Sequence, residues 1–335
     1  MNFQLTKEQE FVQKMVREFA KTEVEPLAAE IDQEHRFPVE TVEKMAKYGL
    51  LGIPFPTKYG GMGGDEVSYS ITVSELAKVC ASTSVIVSAH TSLCCWPIYK
   101  YGTEDQKMKY LPELLSGKKL GAFGLTEPNA GTDASGQQTR AELDGDEWVL
   151  NGAKCFITNG GYAEVFVVMA MTDKSKGNHG ISAFIVEKND PGFSIGKTED
   201  KMGICASSTT ELIFQNCRIP KDRLLGGLGK GFKVAMQTLD GGRIGIASQA
   251  LGIAEGALEV TIEYMKQRKQ FGKKLAQMQA LQFVVADLAT KVEAAKLLVL
   301  KSAFCEDAGL PYGVPAAMAK LFAAETDRKS TRLNS

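Results

Sequence analysis

No apolar run in this 335-residue chain reaches the ~18 residues that a membrane-spanning helix needs. Nor does charge of one sign dominate. Lys and Arg number 39 against 40 Asp and Glu, a net charge of −1, so nothing points to nucleic acid or to an anionic membrane surface. The opening residues, MNFQLTKEQE, lack the basic and then apolar regions of a signal peptide. Seven cysteines, at 80, 94, 95, 155, 205, 217 and 305, are an odd number without a C-x-x-C pair. That argues against a disulfide framework and against a zinc site. Their apolar neighbours, as around Cys80 and Cys155, read as small buried thiols. The three histidines, His35, His90 and His179, are scattered and read as surface or packing residues. A dinucleotide fingerprint needs G-x-G-x-x-G between a strand and a helix, and neither GGMGG nor GGLGKG has that spacing. GGLGKG is read instead as a loop entering a helix. There is no G-x-S-x-G elbow and no H-E-x-x-H. A hydrolase, a kinase and a metalloenzyme are therefore not indicated. The expectation is a soluble protein of a reducing compartment, the cytoplasm.

What is present divides the chain by period. Thr6 with Gln9 fits a capping box, and Phe11, Met15 and Phe19 then recur every four residues. Pro38 opens a second helix and Gly49 closes it. A loop rich in Gly and Pro follows to Gly64. Further helical stretches cover about 65–101 and the run from Thr103 to Gly117. From Leu120 to about Pro220 the chain turns β-branched and alternating, in runs such as WVLNG, CFITNG, VFVVMAM, ISAFIVE and TELIFQN. Asp144-Gly145 and Asn151-Gly152 read as hairpin turns. Helical period returns over 231–267 and about 278–308, and again near Pro315. The expected class is α+β in α-β-α order. It comprises an N-terminal helical domain (1–119), a middle antiparallel β-domain (120–228) and an incomplete C-terminal helical bundle (229–326).

Certain segments carry chemistry. Gly121-Ala-Phe-Gly-Leu-Thr-Glu-Pro-Asn-Ala-Gly-Thr-Asp133 becomes a loop dense in Gly, Pro and hydroxyls, offering backbone N–H groups at close range. Asn151-Gly-Ala-Lys-Cys-Phe-Ile-Thr-Asn-Gly-Gly161 places Phe156 and Thr158 on one side of a strand, an aromatic beside a hydroxyl, with Ile157 between them. Thr158 also fits an ordinary strand threonine. Leu239-Asp-Gly-Gly-Arg-Ile-Gly245 puts adjacent glycines inside a helix, where each costs roughly 0.5–1 kcal/mol relative to Ala. Close approach of a ligand, with Asp240 and Arg243 supplying polar contacts, would explain them. So would tight helix packing. Arg268-Lys-Gln-Phe-Gly272 precedes Gln279, and Arg268 also fits a cation at a helix C-terminus.

In this order and combination, FGLTEPNAGTD, KCFITNGG, LDGGRIG and RKQFG resemble the acyl-CoA dehydrogenase family over residues 1 to about 326. They are most like its bacterial short-chain, butyryl-CoA type. The resemblance implies a helical, β and helical domain series and an FAD cofactor. It implies that Phe123 to Thr132 line the flavin, with Leu125 and Thr126 donating to the pyrimidine end of the ring. Phe156, Ile157 and Thr158 would lie against the ring, with Thr158 near N5. Ser is frequent in the family at the place of Thr132, and Trp at that of Phe156. Both replacements keep the hydroxyl or the aromatic face. Thr132, Asp240, Gly241 and Arg243 would face the CoA ester. Arg268, Phe271 and Gln279 would reach FAD of a neighbouring subunit, which implies a homo-oligomer built as a dimer of dimers. The reaction implied is α,β-dehydrogenation of a short-chain acyl-CoA to the trans-2-enoyl-CoA, with electrons passing to electron-transfer flavoprotein.

The family takes its catalytic base from one of two places. One precedes the arginine of LDGGRIG, which here is Gly242. The other is a Glu in a Tyr-Glu-Gly-Thr-like segment near the C-terminus, which is not found before Ser335, and no Gly-Gly-x-Gly loop of the kind that completes the FAD site is found after the RKQFG segment. Glu127 and Glu255 have no motif support as replacements. The last residues, Asp327-Arg-Lys-Ser-Thr-Arg-Leu-Asn-Ser335, match one reading frame of a common sequencing-adapter oligonucleotide and break the Ala-rich helical run near Glu325. Residues 327–335 are thus expected to be a non-native tail on a truncated chain, with no catalytic residue present, weak FAD retention, poor solubility and no turnover. Two other readings remain: an acyl-CoA oxidase-like flavoprotein that uses dioxygen, and a non-catalytic acyl-CoA- or FAD-binding protein.

Overall fold

The computed structural model describes residues 4–331. Helix α1 (Lys7–Phe19) starts at a capping box. The Thr6 hydroxyl accepts from the Gln9 N–H, and the Gln9 side chain accepts from the Thr6 N–H. The helix continues through a π-helical stretch (Ala20–Val24) into α2 (Glu25–Gln33). Its buried side is Val16 and Phe19, whereas Phe11, expected on that face, is 67% exposed. α3 (Val39–Lys47) follows Pro38 and stops at Gly49, whose φ of +70° only glycine adopts without strain. Then come α4 (Glu66–Ala77), α5 (Ala81–Ser88), a second π-helical stretch (Ala89–Cys95), α6 (Trp96–Tyr101) and α7 (Glu104–Leu115).

The β region holds β1 (Gly121–Gly124), β2 (Arg140–Asp144), β3 (Glu147–Thr158), β4 (Val165–Met171), β5 (Ile181–Glu187), β6 (Phe193–Thr198), β7 (Thr209–Pro220) and β8 (Leu224–Leu225). After it, α8 (Gly231–Gln267) leads to a small hairpin of β9 (Lys269–Gln270) and β10 (Lys273–Lys274). The chain then forms α9 (Gln279–Asp307) and α10 (Gly313–Thr331). The architecture is α+β in the expected order. Residues 327–331 continue α10, so the break expected near Glu325 does not occur. Residues 332–335 of the expected tail lie outside the described residues.

The chain forms two compact units. Within the described residues, the first comprises 4–29, 64–85 and 243–331, and the second 30–63 and 86–242. In the first, Ala247, Leu251 and Ala254 of α8 meet Val292, Ala295 and Val299 of α9 and Ala319 and Ala323 of α10. Small residues allow the close approach. A Cβ on Gly252 would stand 2.1 Å from the Ser74 carbonyl oxygen of α4. Charge follows the same seam: Lys78 pairs with Glu255 at 2.8 Å, and Arg17 with Glu75 at 2.9 Å.

In the second unit the strands make one sheet in the order β6-β7-β3-β2-β4-β5-β8, with β1 on β4. The sheet is not wholly antiparallel as expected. β1 runs parallel to β4 from Gly121↔Val165 to Gly124↔Val168, and β2 meets β4 in parallel at Arg140↔Met171. Alternation along β4 sorts its side chains onto two covered faces. Val165, Val167 and Met169 join Ile98, Leu111 and Leu114 of α6 and α7. Phe166, on the other face, packs on Phe193 at 4.9 Å between ring centroids. Asp144-Gly145 is the β2–β3 hairpin turn, with Gly145 at φ +62°. Asn151-Gly152 is not a turn. It lies inside β3 at a register shift, with Gly152 at φ +143° and a Cβ there only 2.7 Å from the Thr139 Cα. The extra residue at this shift is on β7, where Asn216 sits at φ +50°, and the glycine opposite it marks a close backbone approach, which a dipeptide signal cannot distinguish from a hairpin.

Candidate functional site

β1 leaves the sheet at Leu125, whose side chain is buried in the core shared with α6 and α7. The next peptides are held by β3. The Thr126 carbonyl accepts from the Cys155 N–H at 2.9 Å, and the Leu125 carbonyl accepts from Lys154 Nζ at 3.1 Å. Glu127 closes the turn through paired backbone bonds with Ala130, at 3.2 and 3.0 Å. The Leu125–Thr126 turn and the Phe156–Thr158 strand are therefore immediate neighbours. Among the described residues the Thr126 N–H has no hydrogen-bond partner.

β3 carries a second irregularity at the site. Its register with β7 moves from Lys154↔Leu212 to Ile157↔Thr210, so β3 spends one residue more than β7 across the gap. Phe156 takes up the extra length in a left-handed conformation, φ +59°. A non-glycine residue in that region marks a locally enforced backbone. The bulge leaves Phe156 62% exposed, Ile157 buried and Thr158 half-buried. Past it, Asn159 Nδ2 donates to the Ile86 carbonyl at 3.0 Å and the Asn159 N–H to the Ser208 carbonyl at 2.8 Å, so the strand end is fixed.

Sequence reasoning assigned no role to the group that ties this region together. Lys154 lies fully buried beneath the turn. Besides the Leu125 carbonyl, its ammonium donates to Glu127 Oε1 at 2.7 Å and Gln137 Oε1 at 3.0 Å, which uses all three of its protons. Glu127 also accepts from the N–H groups of Gln138 and Thr139, at 2.6 and 3.0 Å. Burial pulls the Lys154 ammonium down to about 8, against the opposing pull of Glu127. The Glu127 carboxyl is pushed up by burial. Lys154 and the N–H groups outweigh this and hold it below the ordinary range. Alternation from buried Trp148 and Leu150 places Lys154 inward, and the bulge after it turns Phe156 out. What the pattern alone could not show is that the Leu125–Glu127 turn covers the lysine.

The remaining candidates lie elsewhere. Asp240 and Gly241 close the part of α8 that belongs to the second unit, and Arg243 opens the part in the first. A Cβ on Gly242 would come 2.8 Å from Leu93 Cδ2, so packing against Leu93 accounts for that glycine. Arg268 is exposed just beyond the end of α8. Phe271 and Gly272, both left-handed at φ +51° and +74°, form the turn of the β9–β10 hairpin, with Phe271 91% exposed. Gln279 is the first residue of α9 and is exposed. Phe123 is partly buried against the core, and Thr132 lies exposed on the loop. Of the acids considered as substitutes for a base, Glu127 is committed to Lys154, and Glu255 to Lys78 in the first unit.

The donor set can be tested against a flavin. An exposed aromatic face at Phe156, an unpartnered N–H at Thr126, and the hydroxyls of Thr126, Thr132 and Thr158, which make no hydrogen bond among the described residues, suit a flat ring with acceptors at its edge.

Comparison with known proteins agrees. Family models described as Acyl-CoA dehydrogenase N-terminal, middle and C-terminal domains match residues 6–118, 122–217 and 229–333. The short-chain specific acyl-CoA dehydrogenase of Clostridium acetobutylicum is 60% identical over 324 residues, which cover 97% of this chain and 86% of that protein. The structure of butyryl-CoA dehydrogenase from Megasphaera elsdenii superposes with a TM-score of 0.98 at 51% identity, covering 99% of this chain and 88% of that one. A chain from structural work on the electron transferring flavoprotein of Acidaminococcus fermentans gives a TM-score of 0.98 at 54% identity, covering 99% and 87%.

Proposed function

The chain belongs to the acyl-CoA dehydrogenase family of flavin oxidoreductases, and we propose that its activity is the FAD-dependent α,β-dehydrogenation of short-chain acyl-CoA thioesters to trans-2-enoyl-CoA. The observation that carries this reading is the apposition of the Leu125–Thr126 turn and the Phe156 bulge, joined by the bonds from Lys154 and Cys155. The short-chain preference rests on likeness to the Clostridium and Megasphaera enzymes.

FAD, when bound, supplies acceptance of the β hydrogen as hydride. The chain's own residues do the rest. Thr126 and Leu125 present N–H groups where negative charge gathers on reduction, and donors fixed beforehand need no reorganisation. Phe156 gives the ring an apolar face, with Ile157 behind it. Thr158 offers its hydroxyl to the reacting edge, and Phe123 and Thr132 complete the lining. Thr132, Asp240, Gly241 and Arg243 serve the CoA ester. Arg268, Phe271 and Gln279 serve the FAD of a neighbouring subunit, so the same reading includes a homo-oligomer, a dimer of dimers. Electron-transfer flavoprotein is the acceptor in this reading, and the cytoplasm its location. Among the described residues no helix is long and apolar enough to cross a membrane.

The base is the open part. Gly242 has no side chain to take a proton, and Glu127 is held by a buried cation. The reading therefore draws the α proton to a carboxylate outside residues 1–335, and residues 1–335 alone give no turnover. The test adds the C-terminal segment of the Clostridium relative to this chain. Dye-linked oxidation of butyryl-CoA should appear in the extended protein and not in residues 1–335. Flavin-loaded extended protein without activity would favour a non-catalytic binding protein, and oxygen consumption in place of dye reduction would favour an oxidase.

A further inference from the structure

The geometry points to Lys154 as a positioning residue. It clamps the Leu125 carbonyl so that the Thr126 N–H of the same peptide is aimed outward as a donor to the flavin, and it places a positive charge behind that donor. This rests on the flavin reading above and adds a residue that reading does not use.

A peptide unit is planar, and no cis peptide bond is found among the described residues. In a trans unit the C=O and the N–H point in opposite directions. The Leu125 carbonyl points inward, to Lys154 Nζ at 3.1 Å. The N–H on the far side of that plane, that of Thr126, must then point away from Lys154, and it is the N–H with no partner. The following peptide is fixed as well, because its carbonyl is held by Cys155 at 2.9 Å. Both planes are thus set by β3. A cation on the carbonyl also polarises the amide and makes its N–H a stronger donor. Glu127 and Gln137 hold the ammonium at 2.7 and 3.0 Å, so it cannot follow other acceptors. An outward donor backed by positive charge favours the reduced, more negative flavin over the oxidised one.

The test compares flavin midpoint potentials in the FAD-loaded, C-terminally extended protein and in its K154M/E127Q and R223M/D190N variants. The first double variant removes the clamp with no change in net charge. The second removes another buried pair of the same unit, one that does not touch Leu125. A roughly tenfold weaker preference for reduced flavin is expected in K154M/E127Q alone, a fall of about 30 mV for a two-electron couple. R223M/D190N should match the unsubstituted protein in potential while melting earlier. An unchanged potential in K154M/E127Q, or equal shifts in both variants, overturns the proposal and leaves the flavin reading standing. Extended protein that binds no FAD overturns the flavin reading itself.

Should K154M/E127Q fail to fold, amide hydrogen exchange of the extended protein decides. The Thr126 N–H, without a partner among the described residues, should exchange at least tenfold more slowly with FAD bound than without. Equal exchange in the two states overturns the proposal.

Discussion

At the scale of single residues, the informative groups are buried charges. Lys154 and Glu127 stabilise the loop only as a pair. K154M alone leaves a carboxylate in a dry niche, which typically destabilises by about 3–5 kcal/mol. K154M/E127Q should lose markedly less, so urea unfolding of both single variants and the double should show strong coupling. Glu66 behaves in the opposite sense. Burial first, then Glu306, Asp307 and Asp65, push its carboxyl well above the ordinary range. The folded state then binds this proton more tightly than the unfolded chain does. Stability falls as pH rises from the ordinary glutamate value, about 4.3, through the raised one. E66Q should therefore stabilise the protein at neutral pH by on the order of 1 kcal/mol, a few degrees in Tm. The gain should vanish below about pH 4, where Glu66 is protonated in both states. Thermal melts at the two pH values check this, and an equal gain at both would show that charge is not the cause.

At the scale of elements, β3 is the decisive one, because its glycine at 152 and its bulge at Phe156 place the site. Gly152 lets β3 cross the Thr139 backbone, and the Phe156 bulge turns the ring out. A methyl group at 152 meets backbone, which cannot give way as a flexible side chain can. G152A should cost roughly 1–3 kcal/mol and weaken FAD retention, read by urea unfolding and flavin fluorescence. G145A is the control. It also sits at positive φ, +62°, but a Cβ there meets nothing within 4 Å. The strain at Gly145 is then local to the hairpin, and flavin retention should be unchanged.

At the scale of the whole molecule, the helices of the first unit present large apolar side chains to solvent. Phe283, Phe304 and Leu321 are 63%, 59% and 66% exposed. Unpaired apolar surface of this kind drives association. Light scattering of residues 1–335 should show concentration-dependent assembly, and the C-terminally extended protein should give a discrete oligomer. A monodisperse monomer of 1–335 would contradict that expectation.

By itself the sequence determined the α-β-α order, the capping box at Thr6, the span of α8 and the strand-then-loop course of residues 121–133. These follow from local period, capping chemistry and residue type, which act over a few positions. Tertiary structure alone decided that Asn151-Gly152 lies within β3 and is not a turn, that β1 pairs in parallel with β4, that Phe11 is exposed, and that the Leu125–Glu127 turn covers Lys154. Each depends on which distant backbone a residue meets. Thr139 beside Gly152, and the register of β7 against β3, lie outside any local window, and one inserted residue reverses the face on which every later side chain stands.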